Sequence, residues 1–256
     1  MKNQMKILIS LMVLIMACSF TFVENFAFMS SGDSQFLFTT ELPKVISGKK
    51  IETRKVSDFS IINLSISADV FITQGNKTSI EVEADEKALE NLITRVSGDE
   101  LTIKWKDNDY YNGDVIFRIT MKDIEELNIA GSGNIYANSK IRCEDIELNI
   151  AGSGDILLKD LSAEEIESEI AGSGNIKLGG QDIVASHEIN IAGSGDVSAK
   201  KLKTEKAFVN IAGSGNCYVN VLKSLNVNIV GSGDVYYFGS PKISSNIIGS
   251  GDLEKL

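Results

Sequence analysis

The sequence predicts an all-β protein: a parallel β-helix with coils of about 20 residues and an N-terminal β-rich cap containing one short helix. Three observations carry that prediction. The tetrapeptide Gly-Ser-Gly-Asn or Gly-Ser-Gly-Asp begins at Gly131, Gly152, Gly172, Gly193, Gly213, Gly231 and Gly249. A near-fixed period with self-similar flanks marks a solenoid, whose repeats bury their apolar faces against one another. The flanks alternate apolar and polar residues, which is the period of strands. Ile129, Ile150, Ile170, Ile191, Ile211, Ile229 and Ile247 stand two residues before the first glycine, and Ile135, Ile156, Ile176, Val197, Cys217, Val235 and Leu253 follow the Asn or Asp. Third, 14 of the 22 glycines lie in these corners and the chain has only 2 prolines, as stacked strands that need their N–H groups require.

Taken from the N-terminus, Lys2 and Lys6 precede an uncharged stretch from Ile7 to Val23, and residues 1–17 read as a signal peptide. Ile15-Met16-Ala17-Cys18 sets a small residue before a cysteine, which makes Cys18 the candidate for lipidation. Plain cleavage near Ala17 and an uncleaved anchor are the alternatives, because the stretch just reaches the lower limit of about 17–25 residues for a spanning helix. Each reading exports the remainder to the periplasm, outer membrane or cell surface, with membrane contact only through the N-terminus. Residues 18–50 lack periodicity and read as a linker.

Residues 51–122 read as the cap of a single structural domain spanning 51–256. Val70–Thr73 and Ser79–Glu83 flank the turn Gln74-Gly75-Asn76 and predict a hairpin. Asp85 is placed to cap a helix running through Val96, with Leu89, Leu92, Ile93 and Val96 on one face. Ser97-Gly98-Asp99 ends it. Leu101–Trp105 and Val115–Ile119 are further strands around a polar loop at Asp107–Gly113.

Residues 123–256 are the β-helix repeats. Twenty residues at about 3.3 Å each supply some 66 Å of chain, enough for a coil of two or three short strands. The glycines belong at its corner, where the chain turns sharply. The serines between them form one ladder, and the next position reads Asn134, Asp155, Asn175, Asp196, Asn216, Asp234, Asp252. Stacked carboxylates about 5 Å apart repel by about 1–3 kcal/mol per pair at surface dielectrics. An intervening Asn doubles the separation and offers an amide to the acids above and below. The ladder is therefore structural. Its alternation fails at Asp234 and Asp252, either through solvent exposure at a frayed end or as a weak cation site.

Composition excludes several functions. A net charge of −10 opposes nucleic-acid binding, which needs clustered Lys and Arg. The Gly-Ser-Gly corners lack the third glycine and the following helix of a dinucleotide site. A single Gly-x-Gly-x-Asp in each coil does not build the calcium cage of tandem nonapeptides. His187 reads as a partly exposed loop residue. Cys143 and Cys217 fall on different corners of distant coils, so no disulfide is expected, and Cys217 replaces Ile or Val in the core. Acids from Glu144 to Glu169 and lysines at Lys200, Lys201, Lys203 and Lys206 read as solvated faces. No carboxylate pair is singled out for glycoside hydrolysis. No catalytic residue, metal ligand or cofactor is assigned.

The recurrent Asn-Ile-Ala-Gly-Ser-Gly-Asn/Asp-Ile/Val at Asn128–Ile135, with close copies at Asn149, Asn190 and Asn210, resembles the head GIN domain family, described as auto-transporter adhesin heads of the bacterial envelope. The strand pair of Phe59–Gln74 and Gly98-Asp99-Glu100-Leu101-Thr102-Ile103 extend the resemblance to residues 56–252. It implies an all-β stack without established enzymatic activity, and it transfers no binding residue to this chain. The chain stops after the last repeat without a membrane barrel, so it is not expected to be a self-contained autotransporter. The expected function is a non-enzymatic envelope or surface protein that presents faces to an unidentified glycan or protein. The alternatives are a polysaccharide-active enzyme on the same scaffold and a self-stacking architectural module, which would make the protein a homo-oligomer.

Overall fold

The repeated sequence winds into stacked parallel coils that form a β-solenoid of about six turns, seen in a computed structural model that describes residues 49–106 and 113–256. The signal peptide, Cys18, almost all of the linker and most of the Asp107–Gly113 loop lie outside the described residues. The N-terminal elements are β1 (Lys50–Arg54), β2 (Ile61–Leu64), β3 (Asp69–Gln74), β4 (Ser79–Ala84), α1 (Glu86–Asn91), β5 (Leu92–Ser97), β6 (Glu100–Trp105) and β7 (Ile116–Met121). Then come β8 (Glu126–Gly131), β9 (Asn134–Arg142), β10 (Asp145–Gly152), β11 (Asp155–Ser162) and β12 (Glu165–Gly172). The longer β13 (Asn175–Gly193), β14 (Val197–Gly213) and β15 (Cys217–Gly231) precede β16 (Val235–Gly239), β17 (Lys242–Gly249) and β18 (Leu253–Lys255).

Each coil has one leg before its Gly-Ser-Gly corner and one after. β13, β14 and β15 run from one corner to the next, so each supplies the second leg of one coil and the first leg of the following coil. Like legs stack in parallel register: Ile150 lies between Ile129 and Ile170, and Ile156 between Ile135 and Ile176. All six side chains are buried. The period-two pattern sends them inward from both legs, and burying a full Ile contributes about 1.5–3 kcal/mol.

Residues 51–122 do more than cap this stack. β2 pairs in parallel with both β6 and β8, and β3 with both β7 and β9. The coil β2–β3 therefore lies between the coil β6–β7, which follows it in sequence, and β8–β9. Parallel stacking begins at Ile61, well before residue 123. The chain returns across the middle coil through residues 122–125, where Glu125 N–H donates to the Ser60 carbonyl at 3.0 Å. The actual cover consists of β5, antiparallel on β6, and β4, antiparallel on β7, with β1 antiparallel on β4.

This arrangement corrects two local expectations. The strands at Val70–Thr73 and Ser79–Glu83 do not pair as a hairpin, because β7 and β9 occupy both edges of β3; β4 lies on the far side of β7. The helix ends at Asn91. Asp85 does cap it, accepting from the Ala88 N–H at 2.9 Å, but Leu92–Ser97 is a strand paired from Leu92–Trp105 to Ser97–Glu100. The β-branched Ile93, Thr94 and Val96 favour the extended form, and Gly98, at φ 63°, closes the two-residue turn.

Candidate binding face

The corner is built from backbone contact. Gly152 has φ 138°, and a Cβ on Gly154 would stand 2.0 Å from the Gly133 carbonyl oxygen of the coil beneath. Any larger residue there separates the coils. Gly131, Gly172, Gly193, Gly213, Gly231 and Gly249 repeat the first conformation, with φ between 132° and 141°. The Gly131 carbonyl accepts from both Ser153 N–H (2.8 Å) and Gly154 N–H (3.2 Å), and the pattern recurs coil after coil. The serine side chains are exposed.

Beside the corner runs the Asn/Asp ladder, and its first rung is Asp69, which the tetrapeptide does not announce. Asp69 faces Asn134, and Asp155 faces Asn175. Asn134 Nδ2 donates to Asp69 Oδ1 at 2.9 Å and Asn175 Nδ2 to Asp155 Oδ1 at 2.8 Å. The more regular bond is different. Each side-chain oxygen accepts the backbone N–H of the next rung: Asp155 N to Asn134 Oδ1, Asn175 N to Asp155, Asp196 N to Asn175, Asn216 N to Asp196, Asp234 N to Asn216 and Asp252 N to Asp234, at 2.6–3.2 Å. A carboxylate serves as well as an amide in that role, so the Asp234–Asp252 step keeps its bond. Among the described residues no group of three or more His, Cys, Asp or Glu is arranged to hold a metal ion.

Two residues beyond each rung, a column of side chains points outward: Phe71, Tyr136, Leu157, Lys177, Ser198, Tyr218 and Tyr236, in consecutive register. All are half-buried. Phe71 stacks on Tyr136 with ring centroids 5.2 Å apart, and Tyr218 on Tyr236 at 4.8 Å. Lys200 Nζ lies 5.5 Å from the Tyr218 ring centre. Burial, then the nearby Asp69 and Asp155, push the Tyr136 hydroxyl up to about 12; burial and Asp196 raise that of Tyr218. The phenols therefore stay neutral donors beside a ladder of acceptors. Burial followed by the charges of Lys200 and Lys201 lowers Lys177. The face combines aromatic surface, hydroxyls, carboxylates and ammonium groups.

The opposite leg carries two further columns. Asn63, Asn128, Asn149, Glu169, Asn190, Asn210, Asn228 and Asn246 stack in register, with amide-to-amide bonds such as Asn149 Nδ2 to Asn128 Oδ1 at 2.9 Å. Glu169 interrupts them. Next to it run Glu126, Glu147, Glu167 and Glu188. Burial, then Glu169, Glu147 and Glu188, push the Glu167 carboxyl up to about 7. An open concavity of about 380 Å³ between Asp123–Glu125 and Arg142–Glu147 has Arg142 as its one cation among five acids.

His187 is not in a loop. It is fully buried on β13, in register between Ile166 and Ala207, with Nε2 2.9 Å from Ser168 Oγ and Nδ1 without a hydrogen-bond partner. Burial pushes it down to about 3, so the ring is neutral. Cys217 is buried in the core, Cys143 half-buried, and both are free thiols. Burial, then Asp145, pushes Cys143 up to about 11.

Comparison with known proteins agrees with this geometry. Residues 58–241 match the family described as "Putative auto-transporter adhesin, head GIN domain". A Bacteroides fragilis protein described as a "putative adhesin" superposes with a TM-score of 0.75 at 18% identity, over 83% of this chain and 99% of that one. A Parabacteroides distasonis "putative lipid binding protein" gives 0.68 at 30% identity, over 82% and 97%. A "putative adhesin" of Parabacteroides merdae gives 0.66 at 21%, over 82% and 97%. At such low identities the two adhesin-labelled structures show the shared fold alone. No curated protein matches the chain. With a family match that spans residues 58–241 and a coil stack shared along nearly the full length of these structures, the chain belongs to the head GIN domain family.

Proposed function

We propose that this chain is an exported, non-enzymatic adhesin-type protein that binds glycans on the column Phe71–Tyr136–Leu157–Lys177–Ser198–Tyr218–Tyr236. The observation that carries this reading is the two outward ring pairs, Phe71–Tyr136 and Tyr218–Tyr236, standing on one column beside a ladder of carboxylates and amides. Sugars offer apolar C–H faces and many hydroxyls. Ring surface takes the first, and Asp, Asn, Tyr and Lys take the second. Membership of an adhesin-labelled family supports the binding role. The N-terminal signal-like stretch supports export, and Cys18 is the proposed site of a lipid anchor at the outer membrane. The lipid-binding description of the Parabacteroides distasonis protein is not carried over: the interior here is filled by aliphatic side chains such as Ile62, Ile129 and Ile150.

The enzyme reading has less support. Glu167 and Glu169 share a hydrogen bond, whereas glycosidases hold their two carboxyls about 5–5.5 or 6.5–9.5 Å apart.

The test is a glycan array probed with the wild-type chain and with Tyr136→Ala and Tyr218→Ala. Binding that falls at least tenfold in the variants, with unchanged circular dichroism, supports the proposal. No bound glycan, or variants that bind as wild type, overturns it. Mass spectrometry of the mature N-terminus tests the anchor, and an unlipidated terminus removes it.

A further inference from the structure

The two ends of the solenoid are finished differently. At one end β4 and β5 lie antiparallel on β7 and β6 and cover the first coil. At the other, β17 pairs with β15 and β18 with β16, and among the described residues no strand adds to their second edges. A row of unpaired N–H and C=O groups is a template for another strand, and proteins usually blunt it with charge, proline or a bulge. Here Ile243-Ser244-Ser245-Asn246-Ile247-Ile248-Gly249 has no charge and no proline. The inward-facing Ile243 is 43% exposed, while Leu225, one coil below it, is 0% exposed.

We propose that this end binds a second copy of the chain tail to tail, through antiparallel pairing of β17 with its mate about a two-fold axis at Ser245. At the other end β4 and β5 occupy the coil edges, and the free edges left there carry Arg95 on β5 and Lys50, Glu52 and Arg54 on β1, charges of the kind that blunt an edge. The uncharged β17 is therefore assigned to its own mate, and a two-fold contact ends at the dimer. The register follows from the pleat. Residues directly opposite in an antiparallel pair share a face, and Ser245 opposite Ser245 sets Ile243 against Ile247, joining the two cores. A slip of one residue would set the inward Ile243 against the outward Ile248.

Charge also matches. The ladder ends in two successive carboxylates, Asp234 and Asp252, without the Asn that separates the others. In the proposed register Lys242 of the second copy stands opposite Ile248, next to the corner that leads to Asp252. The second copy supplies a cation at the place where the alternation fails.

Light scattering after size exclusion, over a range of concentrations, is the test. The expected result is a species of twice the chain mass and nothing larger. Ser245→Lys puts two like charges on the axis and should weaken association at least tenfold while the far-UV spectrum is kept. Lys242→Glu should weaken it, and Lys242→Glu with Asp252→Lys should restore it. Ser245→Cys places the two Cα atoms about 4.5–5.5 Å apart, within disulfide range, and should yield a covalent dimer on mild oxidation. A monomer at every concentration, a ladder of larger oligomers, or a dimer indifferent to Ser245→Lys overturns the proposal.

Discussion

His187 and Ser168 are polar side chains inside an aliphatic stack, and each makes the other tolerable. Removing one leaves the other buried without its partner, at a cost of about 1–3 kcal/mol, whereas removing both withdraws the polar groups together. Ser168→Ala and His187→Leu should each lower stability by that amount, and the double variant should lose clearly less than their sum. Urea unfolding of the four proteins measures it. Strictly additive losses would mean that the pair is not coupled. The placement of His187 is legible in the sequence when the alternation is followed back from Ile191 and Ile189; the polar run Ser186-His187-Glu188 hides it. Asp69 is hidden for a different reason. It occupies the ladder position in a coil whose corner, Ser65-Ile66-Ser67-Ala68, has no glycine, so the repeat gives no sign of it.

Among the elements, the first legs of the coils hold the unusual charge arrangement. Glu147, Glu167 and Glu188 stack on neighbouring strands with Glu169 beside them, and Glu167 is raised from 4.5 to about 7 by burial and by those acids. An acid raised on folding favours the native state while it is protonated, so its contribution is complete below the unfolded value of 4.5 and lost as pH rises through 7. Glu167 is half exposed, and solvent screening reduces the effect to about 1 kcal/mol. His187 acts in the opposite sense below 6.5, because its folded value near 3 lets the unfolded chain take up the proton first. The melting temperature should therefore fall between pH 6.5 and 8, and Glu167→Gln should flatten that fall and raise stability at pH 8. An unchanged slope would assign the dependence elsewhere. The strand positions in the repeats were legible because each buries alternate residues. The extent of α1 was not: Leu89, Leu92, Ile93 and Val96 satisfy a helical stripe and a strand almost equally, and only the pairing of β5 with β6 decides between them.

For the molecule as a whole, the coils from Glu126 onward followed from the glycine corners, and the two earlier coils, β2–β3 and β6–β7, with their order in the stack, did not. Nothing local in Ile61–Gln74 says that both its neighbours come from later sequence. Stability should be graded along the axis, because each coil contacts only the coils beside it. Ile150, with a coil on either side and 1% exposed, should cost about 2–5 kcal/mol on truncation to Ala. Ile247 in the last described coil should cost less than about 1 kcal/mol in the monomeric Ser245→Lys background. Equal losses in urea unfolding would contradict the gradient. The interleaving of β2–β3 also sets a timetable. A chain emerging from a ribosome or a translocation channel makes β2–β3 first, yet that coil finds its second neighbour only when the sequence up to Tyr136 has followed. Until then its edge must wait unpaired, whereas every later coil docks on a finished template as soon as it appears. Folding of this solenoid therefore has a slow first act and a rapid, directional second, and mutations in residues 61–136 should delay folding more than equally destabilising ones nearer Leu256.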